Sequence, residues 1–165
     1  MKKVLFFAAL AVASFTVKAQ SPIKFSLGAE AHLPVGDFSK TSSFGVGGTV
    51  QADYALDDQL AITLHTGYLH FIGKEYTVLS TTYKDDRGII PLLGGIKYTF
   101  NGNVYASAQL GASFGTEKNS GTSFTYAPGL GYKFSPNFDA LLKYTGWSND
   151  GANTSAVGLR VAYTF

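Results

Sequence analysis

The sequence predicts an all-β fold: a closed antiparallel eight-stranded up-and-down transmembrane β-barrel over residues 20–165, behind an N-terminal signal peptide at 1–19. Three observations carry this. Apolar and polar residues alternate with the strand period of two through eight stretches. Every charge inside those stretches falls on the less apolar phase. Turn signals alternate between short and long along the chain. Composition agrees, because charged residues are only 15% while 19 Gly, 10 Tyr and 13 Phe favour strands and turns over helices.

The first nineteen residues stand apart. Met1-Lys2-Lys3 is a positive start, and Val4 to Phe15 is an apolar run too short to span a bilayer as a helix. Val17-Lys18-Ala19 offers small residues where a signal peptidase cuts, so cleavage before Gln20 is expected. The signal takes three lysines with it, which leaves ten basic residues against eleven acidic ones, a net charge of −1. Basicity therefore gives no support to nucleic-acid binding. The sequence has no Cys, which removes disulfides, thiolate metal sites and a lipid-modified cysteine.

Strand one runs from about Ile23 to Leu33, with Ile23, Phe25, Leu27, Ala29, Ala31 and Leu33 outward and Lys24, Ser26, Gly28, Glu30 and His32 inward. Pro34-Val35-Gly36-Asp37 breaks it. Strand two, Phe44 to Tyr54, turns Val46, Val50 and Tyr54 outward and Thr49, Gln51 and Asp53 inward, before a tight Asp57-Asp58 turn. Strand three opens with Leu60, Ile62, Leu64, Thr66 and Tyr68 outward and His65 inward. It leads into a Thr- and Ser-rich segment, Phe71 to Gly88, whose centre from Tyr76 to Tyr83 still reads as extended and is expected to project as a ribbon. Strand four carries Ile90 to Phe100 outward with Lys97 inward. Asn101-Gly102 is a strong hairpin signal. Strand five follows with Val104, Ala106, Ala108, Leu110 and Phe114 outward, against Tyr105, Ser107 and Gln109. Strand six carries Phe124, Tyr126, Leu130, Tyr132 and Phe134 outward and Lys133 inward. After Ser135-Pro136-Asn137, strand seven has Phe138, Ala140, Leu142 and Tyr144 outward, with Asp139 and Lys143 inward. Trp147 to Thr154 reads as the last loop. Strand eight, Ser155 to Phe165, sets Val157, Leu159, Val161, Tyr163 and Phe165 against Ala156, Gly158, Arg160, Ala162 and Thr164. A closed barrel pairs such a last strand with the first and so leaves no edge.

The breaks near Asp57, Asn101 and Pro136 are short, and those after Pro34, Phe71, Gly115 and Trp147 are longer. Outer-membrane barrels have short periplasmic turns and longer outer loops, so both termini are expected in the periplasm. A Lys or Arg facing mid-bilayer lipid costs about 2–4 kcal/mol, which explains why no outward position is charged. Aromatics gather at strand ends, with Tyr54, Tyr98, Phe100, Tyr132, Phe134, Phe138, Tyr163 and Phe165 at the turn end. Phe44, Tyr68, Phe71, Phe114, Phe124 and Tyr144 form the expected girdle at the loop end. Pro91 and Pro128 fit poorly, because Pro cannot donate to a ladder; they are expected at bulges or above the membrane.

Leu33-Pro-Val-Gly-Asp-Phe-Ser followed by Gly45-Val-Gly-Gly-Thr-Val-Gln-Ala-Asp-Tyr54 resembles the small porin-like outer-membrane β-barrel family of Gram-negative bacteria. So do Ile90-Pro91-Leu92 with Gly95-Ile-Lys-Tyr98, and the closing Gly158-x-x-Val161-x-Tyr163-x-Phe165. The resemblance implies that Gly158, Val161, Tyr163 and Phe165 form the signal read by the barrel assembly machinery during biogenesis. Its motifs specify fold and location, not activity.

The expected site is a barrel-interior polar network of Lys24, Glu30, Asp53, Lys97, Lys133, Asp139, Lys143 and Arg160. Adjacent strands suggest pairing Asp139 with Lys133 and Arg160, and Asp53 with Lys24. An eight-stranded bore is just wide enough for side chains to fill it, so a plugged core is the leading reading and a narrow ion path the alternative. No catalytic, metal-binding or cofactor residue is expected. His70 with Asp85 or Ser80 is the one arrangement that would suit a lipid-modifying enzyme, and no motif spacing supports it. Inverting the two phases would give a soluble lipocalin-type carrier, which the aromatic girdles oppose. The expectation is a monomeric integral outer-membrane protein, not an enzyme, with a structural or surface-interaction role. The expected partners are outer-membrane lipid and a surface protein ligand, with no nucleic acid.

Overall fold

A computed structural model describes residues 23–78, 81–84, 86–100, 102–117, 120–149 and 152–165. The expected signal peptide and its cleavage site lie outside the described residues. The elements are β1 (Ile23–Val35), α1 (Phe38–Thr41), β2 (Ser42–Ala55), β3 (Leu60–Gly73), β4 (Glu75–Val78), β5 (Thr81–Lys84), β6 (Arg87–Thr99), β7 (Val104–Gly115), β8 (Thr122–Lys133), β9 (Phe138–Asn149) and β10 (Ala152–Thr164). Eight of the strands close into a barrel in the order β1-β10-β9-β8-β7-β6-β3-β2, and β4 and β5 form a separate two-stranded sheet. Closure is made by β1 against β10, in register from Ser26↔Thr164 to Val35↔Ser155. Each barrel strand is antiparallel to its neighbour in sequence, as short turns require.

The alternation is obeyed throughout. Leu27, Leu33, Leu64, Leu110, Leu130 and Leu142 are exposed on the outer wall, while Glu30, His32, Thr49, Gln51, His65, Gln109, Lys143 and Arg160 are buried inside. At the turn end the outer aromatics stack in pairs, with ring centroids 5.3 Å apart for Tyr98 and Phe100 and 5.0 Å for Phe138 and Tyr163. The turns are tight for local reasons. Gly102, in the short β6–β7 turn, takes φ +59°, the left-handed region that glycine enters without steric cost. Asp57 accepts the backbone N–H groups of Gln59 and Leu60, both at 2.7 Å. Those two donors hold its carboxyl below the usual carboxylate range.

Three expectations need correction. The loop after Trp147 is not long: β9 runs to Asn149 and β10 starts at Ala152, in register through Ala152↔Asn149 and Thr154↔Trp147. The strands simply continue above the apolar band, with Asp150-Gly151 between them. Phe71 does not belong to the loop-end girdle. Carrying the phase of β3 three residues past Tyr68 turns it inward, and it is fully buried.

The prolines mark no bulges. The register between β3 and β6 is the same at Thr66↔Leu92 and at Leu69↔Ile89, with the rungs between missing. Likewise β8 and β9 pair at Tyr126↔Gly146 and at Gly129↔Lys143, with the same register on both sides of a gap. Hydrogen-bonded pairs alternate along an antiparallel ladder. Counting from the closing bonds Thr99 N–H to Gln59 O and Phe134 N–H to Phe138 O, Pro91 faces Gly67 and Pro128 faces Tyr144 at hydrogen-bonding positions. Each proline lacks the N–H its partner carbonyl would take. Both still pair with β7, as Pro91↔Ser113 and Pro128↔Ala108, on the side where no N–H is asked of them.

Candidate functional site in the barrel bore

The bore is filled from its middle outwards. Glu30, on β1 with no exposed side-chain surface, is the hub. Lys143 of β9 reaches both of its carboxylate oxygens, at 2.9 and 2.8 Å. His32 Nε2 lies 2.8 Å from Oε2, and Thr49 donates to Oε1 at 3.1 Å. His65 Nε2 and Arg160 Nε stand 3.5 and 3.7 Å from Oε1. Arg160 itself donates to Thr49 Oγ1 at 3.1 Å and to Ser26 Oγ at 2.9 Å. Its guanidinium lies over Gly28, where an added Cβ would come within 2.6 Å of Nε. A buried charge is tolerable only when paired and hydrogen-bonded, as Glu30, Lys143 and Arg160 are, whereas both ring nitrogens of His65 and Nδ1 of His32 meet no hydrogen-bond partner among the described residues.

Towards the turns lies a second layer. Gln109 Nε2 donates to Gln51 Oε1 at 3.1 Å. The Tyr105 hydroxyl donates to Asp139, and Lys97 pairs with Asp53 at 2.9 Å while its ammonium sits 4.5 Å above the Tyr105 ring. Lys133 reaches Thr99 Oγ1 at 3.4 Å. Lys24, Asp53, Lys97, Lys133 and Asp139 line an open polar vestibule at this end.

Towards the loops the bore closes with aromatics. Phe38, Phe71 and Trp147 are all buried, with centroid separations of 5.0, 5.6 and 6.0 Å, and the His32 ring lies 5.8 Å from Phe71. Phe38 is delivered by α1, a single turn in the β1–β2 connection. The Lys74 N–H donates to Thr41 O at 2.8 Å and ties that connection to the β3 end.

Glu30, Asp139, Lys143 and Arg160 are buried and Lys24, Asp53, Lys97 and Lys133 lie at the turn-end mouth, but the pairings expected from adjacent strands are not the ones formed. Arg160 turns to Glu30, Thr49 and Ser26 instead of Asp139. Asp139 takes the Tyr105 hydroxyl, and Asp53 takes Lys97 instead of Lys24. The bonds Glu30–Lys143, Asp53–Lys97, Tyr105–Asp139 and Lys133–Thr99 each skip one strand. In so narrow a cylinder, inward side chains of next-but-one strands converge on the axis, while those of adjacent strands run side by side. Sequence reasoning also passed over Tyr105 as a partner, and Trp147 and Phe71 as plugs. The strand phase, carried a few residues further, would have found the two aromatics. His70 Nε2 lies 3.7 Å from Asp86 on the loop side; Ser80 and Asp85, its proposed partners, lie outside the described residues. Among the described residues no group of three or more His, Asp or Glu is placed to hold a metal ion.

A closed antiparallel barrel with an apolar belt outside, aromatic rings at strand ends and its charges inside is built for a lipid bilayer. The chain belongs to the family described as outer membrane protein beta-barrel domain, whose model matches residues 5–165. It is an integral outer-membrane β-barrel protein. No curated protein matched the chain. Among solved structures it is similar to Ail, the attachment invasion locus protein of Yersinia pestis, seen in complex with the heparin analogue sucrose octasulfate. That likeness has 20% identity and a TM-score of 0.64, over 87% of this chain and 97% of Ail. It is similar to the N-terminal β-barrel domain of Pseudomonas aeruginosa OprF at 18% identity and TM-score 0.58, over 86% and 97% of the two chains. Neisserial surface protein A matches at 16% identity and TM-score 0.51, over 88% and 98%. At such identities the likeness concerns the fold alone.

Proposed function

We infer that this chain is a sealed barrel with a structural and surface-interaction role, held in the outer membrane with its loops outside and both termini in the periplasm. One observation carries the sealed reading. The Glu30–Lys143–Arg160 knot fills the middle of the bore, and Phe38, Phe71 and Trp147 fill it above. The even number of barrel strands, with short connections on one side, supports the orientation. A role without catalysis is supported by His32 and His65 being buried in the polar bore, away from lipid and loop surface alike.

The interaction surface is the loop end, where β4 and β5 form a sheet separate from the barrel whose outer edges pair with no other strand among the described residues. Such edges take up an extended segment of a partner by main-chain pairing. The polyanion carried by Ail does not transfer easily. Counted along the sequence, the stretches that join the strands on that side carry five cations (Lys40, Lys74, Lys84, Arg87 and Lys118) against six acids (Asp37, Glu75, Asp85, Asp86, Glu117 and Asp150), so they hold no excess of positive charge. The pore reading is tested by single-channel recording in planar bilayers: a sealed barrel gives no unitary steps, and regular steps would make it a small diffusion channel. The mass of the exported protein would give the signal cleavage site, expected before Gln20.

A further inference from the structure

The outer wall carries a groove where β8 meets β9. Ala106, Pro128, Leu130, Leu142, Tyr144 and Val157 line it. The side chains beside it are small: Ala106 and Ala108 face outward on β7, and Ala108 is the partner of Pro128. Leu130 in its wall and Leu110 next to it on β7 are exposed by 62% and 61%.

The same place is a defect in the ladder. Pro128 stands opposite Tyr144 at a hydrogen-bonding position and has no N–H to give. A backbone carbonyl left unpaired against hydrocarbon is costly, so a donor is wanted there. The depth is specific. Tyr126 and Tyr144, whose rings lie 6.2 Å apart, mark headgroup level on the loop side, and Pro128 is the next outward residue below Tyr126. A hydroxyl near the head of an acyl chain sits at that depth.

We propose that this groove is a binding site for one hydroxylated acyl chain of a membrane lipid, its hydroxyl donating to the Tyr144 carbonyl. The wall is the lipid-facing surface of an outer-membrane barrel, so the occupant is the surrounding solvent made specific by one hydrogen bond. Pro91 leaves a similar defect at Gly67 in the other seam and serves as the internal control.

The test is native mass spectrometry of the folded protein in a mild non-ionic detergent. The probes are a phosphatidylglycerol with a 3-hydroxymyristoyl chain and the same lipid with a plain myristoyl chain. Folding of each variant is checked first by its gel shift on boiling. The native protein is expected to retain the hydroxylated lipid about fivefold better, the worth of one net hydrogen bond. Pro128→Ala restores the missing N–H, so the preference falls to about one. Pro91→Ala keeps the preference, and Ala106→Phe fills the groove and retains neither lipid. Equal retention of both lipids by the native protein would overturn the proposal. So would an undiminished preference in Pro128→Ala, or a second protein copy in place of the lipid. Failure of the gel shift in the native protein would sink the membrane-barrel reading instead.

Discussion

The two ends of the bore solve the same problem with opposite chemistry. At the loop end three large rings close the cylinder, and α1 exists to bring one of them in. At the turn end the filling is ionic and wet: Lys97, Asp53 and Lys133 line a vestibule that opens between the turns. Between the two lies the dry ionic knot around Glu30. The difference teaches that the position of water, more than residue type, sets what each contact contributes. Asp53–Lys97 and Glu30–Lys143 have nearly the same length, 2.9 and 2.8 Å. The first pair has side chains 13–15% exposed, whereas the second is 0–3% exposed.

Removing the hub should have the largest effect. Glu30→Ala strands Lys143 and Arg160 in a dry bore, and should lower the unfolding free energy by about 3–5 kcal/mol in urea titrations from lipid vesicles. Replacing Glu30 and Lys143 together by Leu and Met should recover part of the loss, because Lys143 is then no longer stranded while Arg160 still is. If the double replacement is as damaging as the single one, the knot matters through shape and not charge.

The aromatic plug comes next. Phe71→Ala or Trp147→Ala should cost about 3–5 kcal/mol, as large buried rings do. Phe38→Ala should cost less, towards about 2 kcal/mol, because a single-turn connection can settle into the space. Equal losses for all three would mean that α1 is as rigid as the strands.

The turn end should be more forgiving. Asp53→Asn is expected to cost about 1 kcal/mol, since water in the vestibule screens the Lys97 left behind. A loss matching that of Glu30→Ala would erase the distinction between the two regions.

The smallest effect concerns pH. The Asp57 carboxyl is held down by two backbone donors, so what it adds to stability is present above its unfolded value of 3.8 and is lost as pH falls through its lower folded value. A carboxyl carbon NMR titration of Asp57 should show it ionised below pH 3.8. A midpoint at or above that value would mean the turn is open in solution.

Much of this was legible in the chain. The period of two separates Leu27 from Glu30 and Leu142 from Lys143 without any structure, because a bilayer outside and a narrow bore inside make the faces chemically opposite. The Asn101-Gly102 turn and the closing apolar phase through Phe165 were equally plain. The partners were not. Phase says that Glu30, Lys143 and Arg160 point inward, yet their heights depend on register and tilt summed over several strands, and no local pattern records that sum. Strand length above the membrane was hidden too, since Trp147 to Thr154 has a loop's composition and strand pairing still carries it. The sequence by itself determined which residues meet lipid and which meet the axis. Only the tertiary structure decided which of them meet one another, because closure of the cylinder brings next-but-one strands together on its axis.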